Sequence, residues 1–277
     1  MAGYLFSLRL IFAFSVLTLM WSCEEIPVVI PDYNPPETGK TVLIEDLTGV
    51  RCPNCPRGAA ALENILAKYQ GKVFALAIHG IQLVTPLPQS KYDFRNQFAA
   101  DLEKFHQPFL GKPSALINRK KFDNQSFIPV DVVDLWLGYT EQELALPQEV
   151  QIDVDYNYNS ETRQLNVLVG VSPLKNVTGE FKISVFLTES HMIDYQETVG
   201  AILSDFEHNH VLRYMLTRFD GDALADQLKT SEVIIRNYTY TIPEEFIAEN
   251  MEVIVAVHKA DPDNKTVLQS AGIKIGR

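Results

Sequence analysis

The apolar period of the chain changes near Pro147, and that change restricts the fold more than any single motif. Before it, strand-like runs alternate with helical stripes. TVLIEDL (41–47) is a β-branched run that reads as a strand. PRGAAALENILAKYQ (56–70) sets Ala60, Leu62, Ile65, Leu66 and Tyr69 on one helical stripe, which Gly71 ends. KVFALAIH (72–79) is continuously apolar, as expected for a buried parallel strand. A helix over 91–104, a strand in PSALINRK (113–120) and a helix over 130–146 complete a β-α-β-α-β-(β)-α order. Such alternation predicts a mostly parallel sheet covered by helices. After Pro147, six runs alternate polar and apolar residues: VQIDVDYNYN, RQLNVLVGVS, GEFKISVFLTE, SEVIIRNYTYTI, MEVIVAVHKA and TVLQSAGIKIG. Turn chemistry separates them, which predicts an antiparallel sandwich-like all-β region. The stretch 191–230 is less regular and reads as a long connection. The expected organisation is an α/β domain over 41–147 followed by an all-β domain over 148–277.

Ahead of both lies a targeting segment. Arg9 precedes the apolar run LIFAFSVLTLMW, which ends at Ser22 and Cys23. The run is short for a membrane span, which needs roughly 20 apolar residues. A small residue followed by Cys at such a boundary resembles a lipobox, so residues 1–22 read as a lipoprotein signal peptide and Cys23 as the lipid-bearing residue. Residues 23–40, with four prolines, read as a tether. The whole chain of 277 residues carries a net charge of −11 and no basic cluster. Phosphate-backbone binding needs concentrated Lys and Arg, so nucleic acid is excluded as a partner.

With Cys23 lipidated, only Cys52 and Cys55 remain, and an exported chain meets an oxidising compartment in which they can pair. Cys52 is expected just before the first turn of the helix at 56–70. Free N–H groups and the helix dipole there favour a thiolate, and Arg51 and Arg57 add positive potential. Cys52 would then attack a foreign disulfide, and Cys55 would resolve the mixed disulfide. Two alternatives stay open. Zinc needs four ligands and C-x-x-C supplies two; His79 and His106 are the nearest candidates, but no second C-x-x-C or H-x-x-x-H exists, and no metal or cofactor is expected. An inert disulfide is the other, although so short a loop gives little entropic stabilisation. His208 and His210 form an H-x-H that would share one face of a strand, read foremost as a structural pair, and Trp136 reads as core.

Strand, C-x-x-C, helix resembles the thioredoxin arrangement. The resemblance implies that Asp46, six residues before Cys52, is a buried acid assisting proton transfer at the second cysteine. It also implies that Pro113 is a cis proline beside the pair, facing substrate. CPNC stands where CGPC is usual, no Trp precedes Cys52, and Lys112 precedes the proline. EDLTGVRCPNCPRGA (45–59) and HNHVLR (208–213) are similar, more narrowly, to the outer-membrane-protein-28-related lipoproteins. That resemblance implies a thioredoxin-like domain joined to a β-rich half, anchored by lipid in the outer membrane. The implied partners are protein thiols or disulfides, or an outer-membrane protein for which the fold is a non-enzymatic scaffold.

Overall fold

The structure is a computed structural model that describes residues 39–276. The signal segment, Cys23 and the tether up to residue 38 lie outside the described residues. The described chain runs β1 (Val42–Leu47), α1 (Cys55–Lys68), β2 (Val73–Ile78), α2 (Gln97–Phe105), β3 (Ser114–Ile117), a 3-10 turn (Val133–Leu135) and α3 (Trp136–Leu144). There follow β4 (Val150–Asn159), β5 (Gln164–Pro173), β6 (Val177–Glu189), β7 (Met192–Thr198), β8 (Ala201–His208) and β9 (Val211–Met215). The last strands are β10 (Asp222–Leu228), β11 (Ile234–Thr241), β12 (Met251–Lys259) and β13 (Val267–Lys274). Trp136 is core, as expected: it is fully buried and its Nε1 donates to the Val130 carbonyl at 2.9 Å.

The backbone of the molecule is one mixed sheet in the order β13-β12-β6-β9-β2-β1-β3, with β10 also pairing with β6. Among the described residues only β1 with β2 and β2 with β9 run parallel. β3 returns antiparallel to β1, with Asp46 opposite Ala115. A three-stranded sheet (β11-β5-β4) and a β7–β8 ribbon complete the set. β1 is buried on both faces, and its alternation divides two cores. Val42 and Ile44 face Leu62 and Ile65 of α1 together with Trp136. Leu43 and Leu47 face the other way, against Leu102 of α2 and Phe186, Leu212 and Ile254 of later strands. Each such side chain, fully buried, contributes about 1.5–3 kcal/mol. A third core fills the space between the three-stranded sheet, through Val167, Val169 and Val171, and β6 and β12.

This corrects the expected fold class. A thioredoxin-like α/β domain with a mostly parallel sheet of its own, followed by an all-β domain, is not what forms. The described chain holds thirteen strands and three α-helices, and the first three strands are one end of a mixed sheet completed by β6, β9, β12 and β13. The outer edge of β2 is filled by β9, more than a hundred residues later, through the pair Ala77–Val211. Local periodicity reports that β2 is buried, and it carries no information about which strand buries it.

Candidate functional site

Cys52 and Cys55 are joined in a disulfide, with their Cα atoms 5.3 Å apart. Cys55 opens α1, and Cys52 lies in the turn before it, where the Cys55 N–H donates to the Cys52 carbonyl at 3.1 Å. The helix begins without a side-chain cap: Asn54 makes none, and the first turn holds no acidic residue. Its dipole therefore acts on the pair without local competition. The two arginines do not add to it as expected. Arg57 pairs with Asp134 at 2.7 Å and Arg51 with Glu197 at 2.9 Å, so carboxylates offset both charges. Both cysteines are enclosed, at 1% and 2% exposure, while Pro53 and Asn54 are exposed.

β7 packs on the loop that carries Cys52. Gln196 donates its side-chain amide to the carbonyls of Cys52 at 3.1 Å and Gly49 at 3.2 Å, and the Glu197 N–H donates to the Val50 carbonyl at 2.8 Å. On the other side the Arg51 N–H donates to the Leu83 carbonyl at 2.9 Å. The chain crosses Leu83 so closely there that a Cβ on Gly49 would lie 2.3 Å from that oxygen, which only glycine permits.

Asp46 stands on the α1 face of β1, continuing the row Val42–Ile44, and is fully buried. Its Oδ1 has no hydrogen-bond partner. Burial pushes its pKa up to about 7, with Lys112 acting in the opposite direction. Asp46 and Cys55 line one cavity of about 290 Å³, and His79, His208, His210 and Glu63 line it too. Burial drives His79 well below its ordinary range, and the neighbouring His208 adds to this. Burial also drives His208 down to about 4, against a hydrogen bond to the Tyr195 backbone. Both rings are therefore neutral near pH 7. Phe94 packs against each, at centroid distances of 4.9 and 4.6 Å. Among the described residues no three His, Cys, Asp or Glu side chains are arranged to hold a metal ion.

The Lys112–Pro113 peptide is cis. Pro113 packs against α1 just after the cysteines, so close that a Cβ on Gly58 would meet its Cβ at 2.8 Å. It also shares a surface cavity with Asn54 and Arg57. Lys112 turns inward. Its Nζ binds Glu103 Oε2 and donates to the carbonyls of Thr48 and Gln82, each at 2.8 Å. The structure thus brings Cys52, Cys55, Asp46 and Pro113 around the start of α1. His106 is elsewhere, on the opposite face of β1, where it contacts Glu45 at 3.3 Å.

Sequence reasoning missed Gln196 and Asp194, and it gave His208 and His210 no part in the site. Asp194 is buried and accepts from the N–H groups of Lys91 and Tyr92 at 3.1 and 2.8 Å, joining the ribbon to the loop after β2. Buried polar residues in an irregular stretch were the available signal, since such groups must find partners.

The family model described as outer membrane protein Omp28 matches residues 106–277. No curated protein matches the chain. Among solved structures, HBP35 of Porphyromonas gingivalis superposes with a TM-score of 0.69 at 12% identity, over 88% of this chain and 77% of that one. The two share a fold. A protein of Agrobacterium tumefaciens gives 0.48 at 12% identity, over 87% of this chain and 97% of that one. A domain of the outer membrane lipoprotein Omp28 from Porphyromonas gingivalis gives 0.34 at 22% identity, over 46% of this chain and 88% of that one. Among the described residues no helix is long and apolar enough to cross a membrane. The match over residues 106–277 is more than half of the sequence, and the chain belongs to the Omp28 family of outer-membrane proteins.

Proposed function

We propose that this outer-membrane protein is held to the membrane by lipid on Cys23 and performs thiol–disulfide exchange at Cys52 and Cys55. The observation that carries the proposal is the placement of the disulfide at the uncapped start of α1, with a buried acid whose pKa is about 7 on the wall of the cavity that Cys55 lines. An incoming thiolate attacks the disulfide to form a mixed disulfide and free one cysteine thiolate; a second incoming thiolate then displaces the first sulfur, so that the two incoming sulfurs are joined and both cysteines are left reduced. In the reverse direction the Cys52 thiolate attacks a partner's disulfide. Asp46 then takes the proton from Cys55, and the Cys55 thiolate displaces the partner. A carboxyl that titrates near neutral pH suits proton transfer in either direction. Pro113, packed on the first turns of α1, borders the approach to the pair. Access to Cys52 requires the Gln196 and Glu197 contacts to loosen. The proposed partners are protein thiols or disulfides.

The experiment is trapping. Cys55→Ser expressed in cells should accumulate a mixed disulfide through Cys52, absent from the Cys52→Ser/Cys55→Ser double variant. A Cys55→Ser protein that stays free of any covalent adduct refutes the reading.

The enclosure of both cysteines favours a second reading, in which the disulfide is inert and the protein serves as a binding or assembly scaffold at the outer membrane. Dithiothreitol under native conditions separates the two. Exchange expects reduction of the folded protein, and the scaffold expects reduction only on unfolding.

A further inference from the structure

The H-x-H of residues 208–210 has no part in the exchange steps above, yet both histidines lie on the wall of the cavity beside Cys55. They do not reach it by strand alternation. His208 ends β8, and His210 follows it in a left-handed turn with φ of 55°. That turn is pinned to the sheet, because the His210 carbonyl accepts from the Ala77 N–H at 2.7 Å. Ala77 in turn is the partner of Asp46 in the parallel register. His210 therefore stands two strand spacings from Asp46, about 10 Å.

The two ring nitrogens of His210 face different surroundings. Nδ1 is buried without a partner, and Nε2 lies 3.4 Å from Glu63 Oε1. Glu63 sits on α1 with its side chain 48% exposed. The ring thus bridges the interior to a carboxylate that reaches solvent. On the wall of the same cavity, Oδ1 of Asp46, Nδ1 of His79 and Nε2 of His208 are also buried without a partner. The cavity, about 290 Å³, is large enough for water, and polar atoms left without protein partners are what such water would bond.

We infer that His210, with Glu63, is the port through which protons pass between Asp46 and bulk solvent. The inference rests on the exchange reading and extends it from the sulfurs to the proton. During ring closure the Cys55 thiol gives its proton to the Asp46 carboxylate. The Cys55 thiolate attacks Cys52 Sγ, the Cys52–Cys55 bond forms, the bond from Cys52 to the partner sulfur breaks, and the partner leaves as a thiolate. No electrons beyond those in the exchanged bonds are needed. The Asp46 proton then moves through cavity water to His210 Nδ1, while the Nε2 proton passes to Glu63 and on to solvent. His210 is a positioning residue here, since it touches neither sulfur nor substrate. The titratable groups around it are Glu63 on α1, Glu252 on β12, Glu207 and His208 on β8, His79 after β2 and Asp46 on β1. His79 and His208 are held neutral by burial, so they line the path without storing the proton.

The test uses the full chain, reduced with dithiothreitol, freed of it, and mixed with glutathione disulfide. Stopped-flow release of the second glutathione reports ring closure across pH. His210→Gln and Glu63→Gln should each slow closure about tenfold near neutral pH, within the range for a lost proton-transfer group. Both should match the wild type in strongly alkaline solution, where Cys55 is already a thiolate. Added imidazole should restore His210→Gln. Glu63→Gln, half exposed on α1, keeps the test available if His210→Gln does not fold. An unchanged pH profile in Glu63→Gln and His210→Gln overturns the port and leaves exchange standing. Slowing that is equal at all pH and indifferent to imidazole is a structural effect and also overturns it. A wild-type chain that never closes removes the exchange reading, and the port with it.

Discussion

Glu45 and Asp46 are consecutive carboxylates on one buried strand, and they have been given opposite surroundings. Glu45 faces the sheet side that packs on later strands. Arg119 grips it through two bonds of 2.7 Å, and His106 lies at 3.3 Å. Burial alone would raise its pKa, but Arg119 and His106 outweigh that and hold Glu45 well below the usual carboxylate range. Asp46, on the other face, is equally buried and has only the opposing influence of Lys112, whose ammonium is occupied by Glu103. One acid is held charged by a counter-ion and belongs to the packing. The other is held up to about 7 by burial, which is what the proposed exchange asks of it. The difference teaches that burial sets the cost of the charge, and that a fully engaged counter-ion decides whether a buried acid can do chemistry.

The contrast can be broken from the Glu45 side first. Arg119→Ala leaves a buried carboxylate with no strong partner and should cost about 5 kcal/mol in chemical denaturation. The sign with pH is fixed by the depressed folded pKa. The stabilisation from Glu45 is fully present above its ordinary pKa of about 4.5 and is lost as pH falls below it, so Glu45→Gln should flatten the acid limb of the stability curve. Asp46 has the opposite sign. Its folded pKa of about 7 lies above the ordinary 3.8, so the folded state loses stability as pH rises from about 4 to about 7. Asp46→Asn should therefore stabilise the protein above neutral pH by up to about 4 kcal/mol, with the gain shrinking toward pH 4. Thermal unfolding at several pH values reads both effects.

Smaller changes sharpen the same contrast at the disulfide. The Cys52–Cys55 loop is short, so Cys52→Ala/Cys55→Ala should cost only about 2 kcal/mol. Gln196→Leu removes the amide from the carbonyls of Cys52 and Gly49 and should cost about 1 kcal/mol. Its more telling readout is kinetic: the folded Gln196→Leu protein should be reduced by dithiothreitol faster than wild type. An unaltered rate would show that the β7 contacts do not control access.

Much of the local structure was legible in the sequence. The helical stripe at 56–70 corresponds to α1, and the six alternating runs after Pro147 correspond to β4, β5, β6, β11, β12 and β13. The stretch 191–230 was not legible, because β8 is exposed almost throughout and shows no buried-face alternation. Long-range pairing was not legible either. Nothing local to KVFALAIH says that β9 will complete its edge, and that pairing is what displaced the expected α/β domain. At the site, the near side could be read: the pair, the helix start, Asp46 through the thioredoxin resemblance, and Pro113 with its cis bond. The far side could not. Gln196 meets the Cys52 carbonyl, and His208 and His210 join the cavity that Cys55 lines, only through the ribbon and the β8–β9 turn, far away in sequence. His106 was weighed as a zinc ligand and instead supports Glu45, because adjacent positions on a strand face opposite cores.

Exchange at Cys52 is tested most directly by equilibrating the folded full chain with a glutathione redox buffer and following the Cys52–Cys55 bond, with folding monitored in the same sample. Exchange requires a reversible midpoint reached while the protein remains folded, and a glutathione adduct that stays on Cys52 when Cys55 is Ser. A bond that opens only together with the fold, and a Cys52 that takes no glutathione, would contradict it.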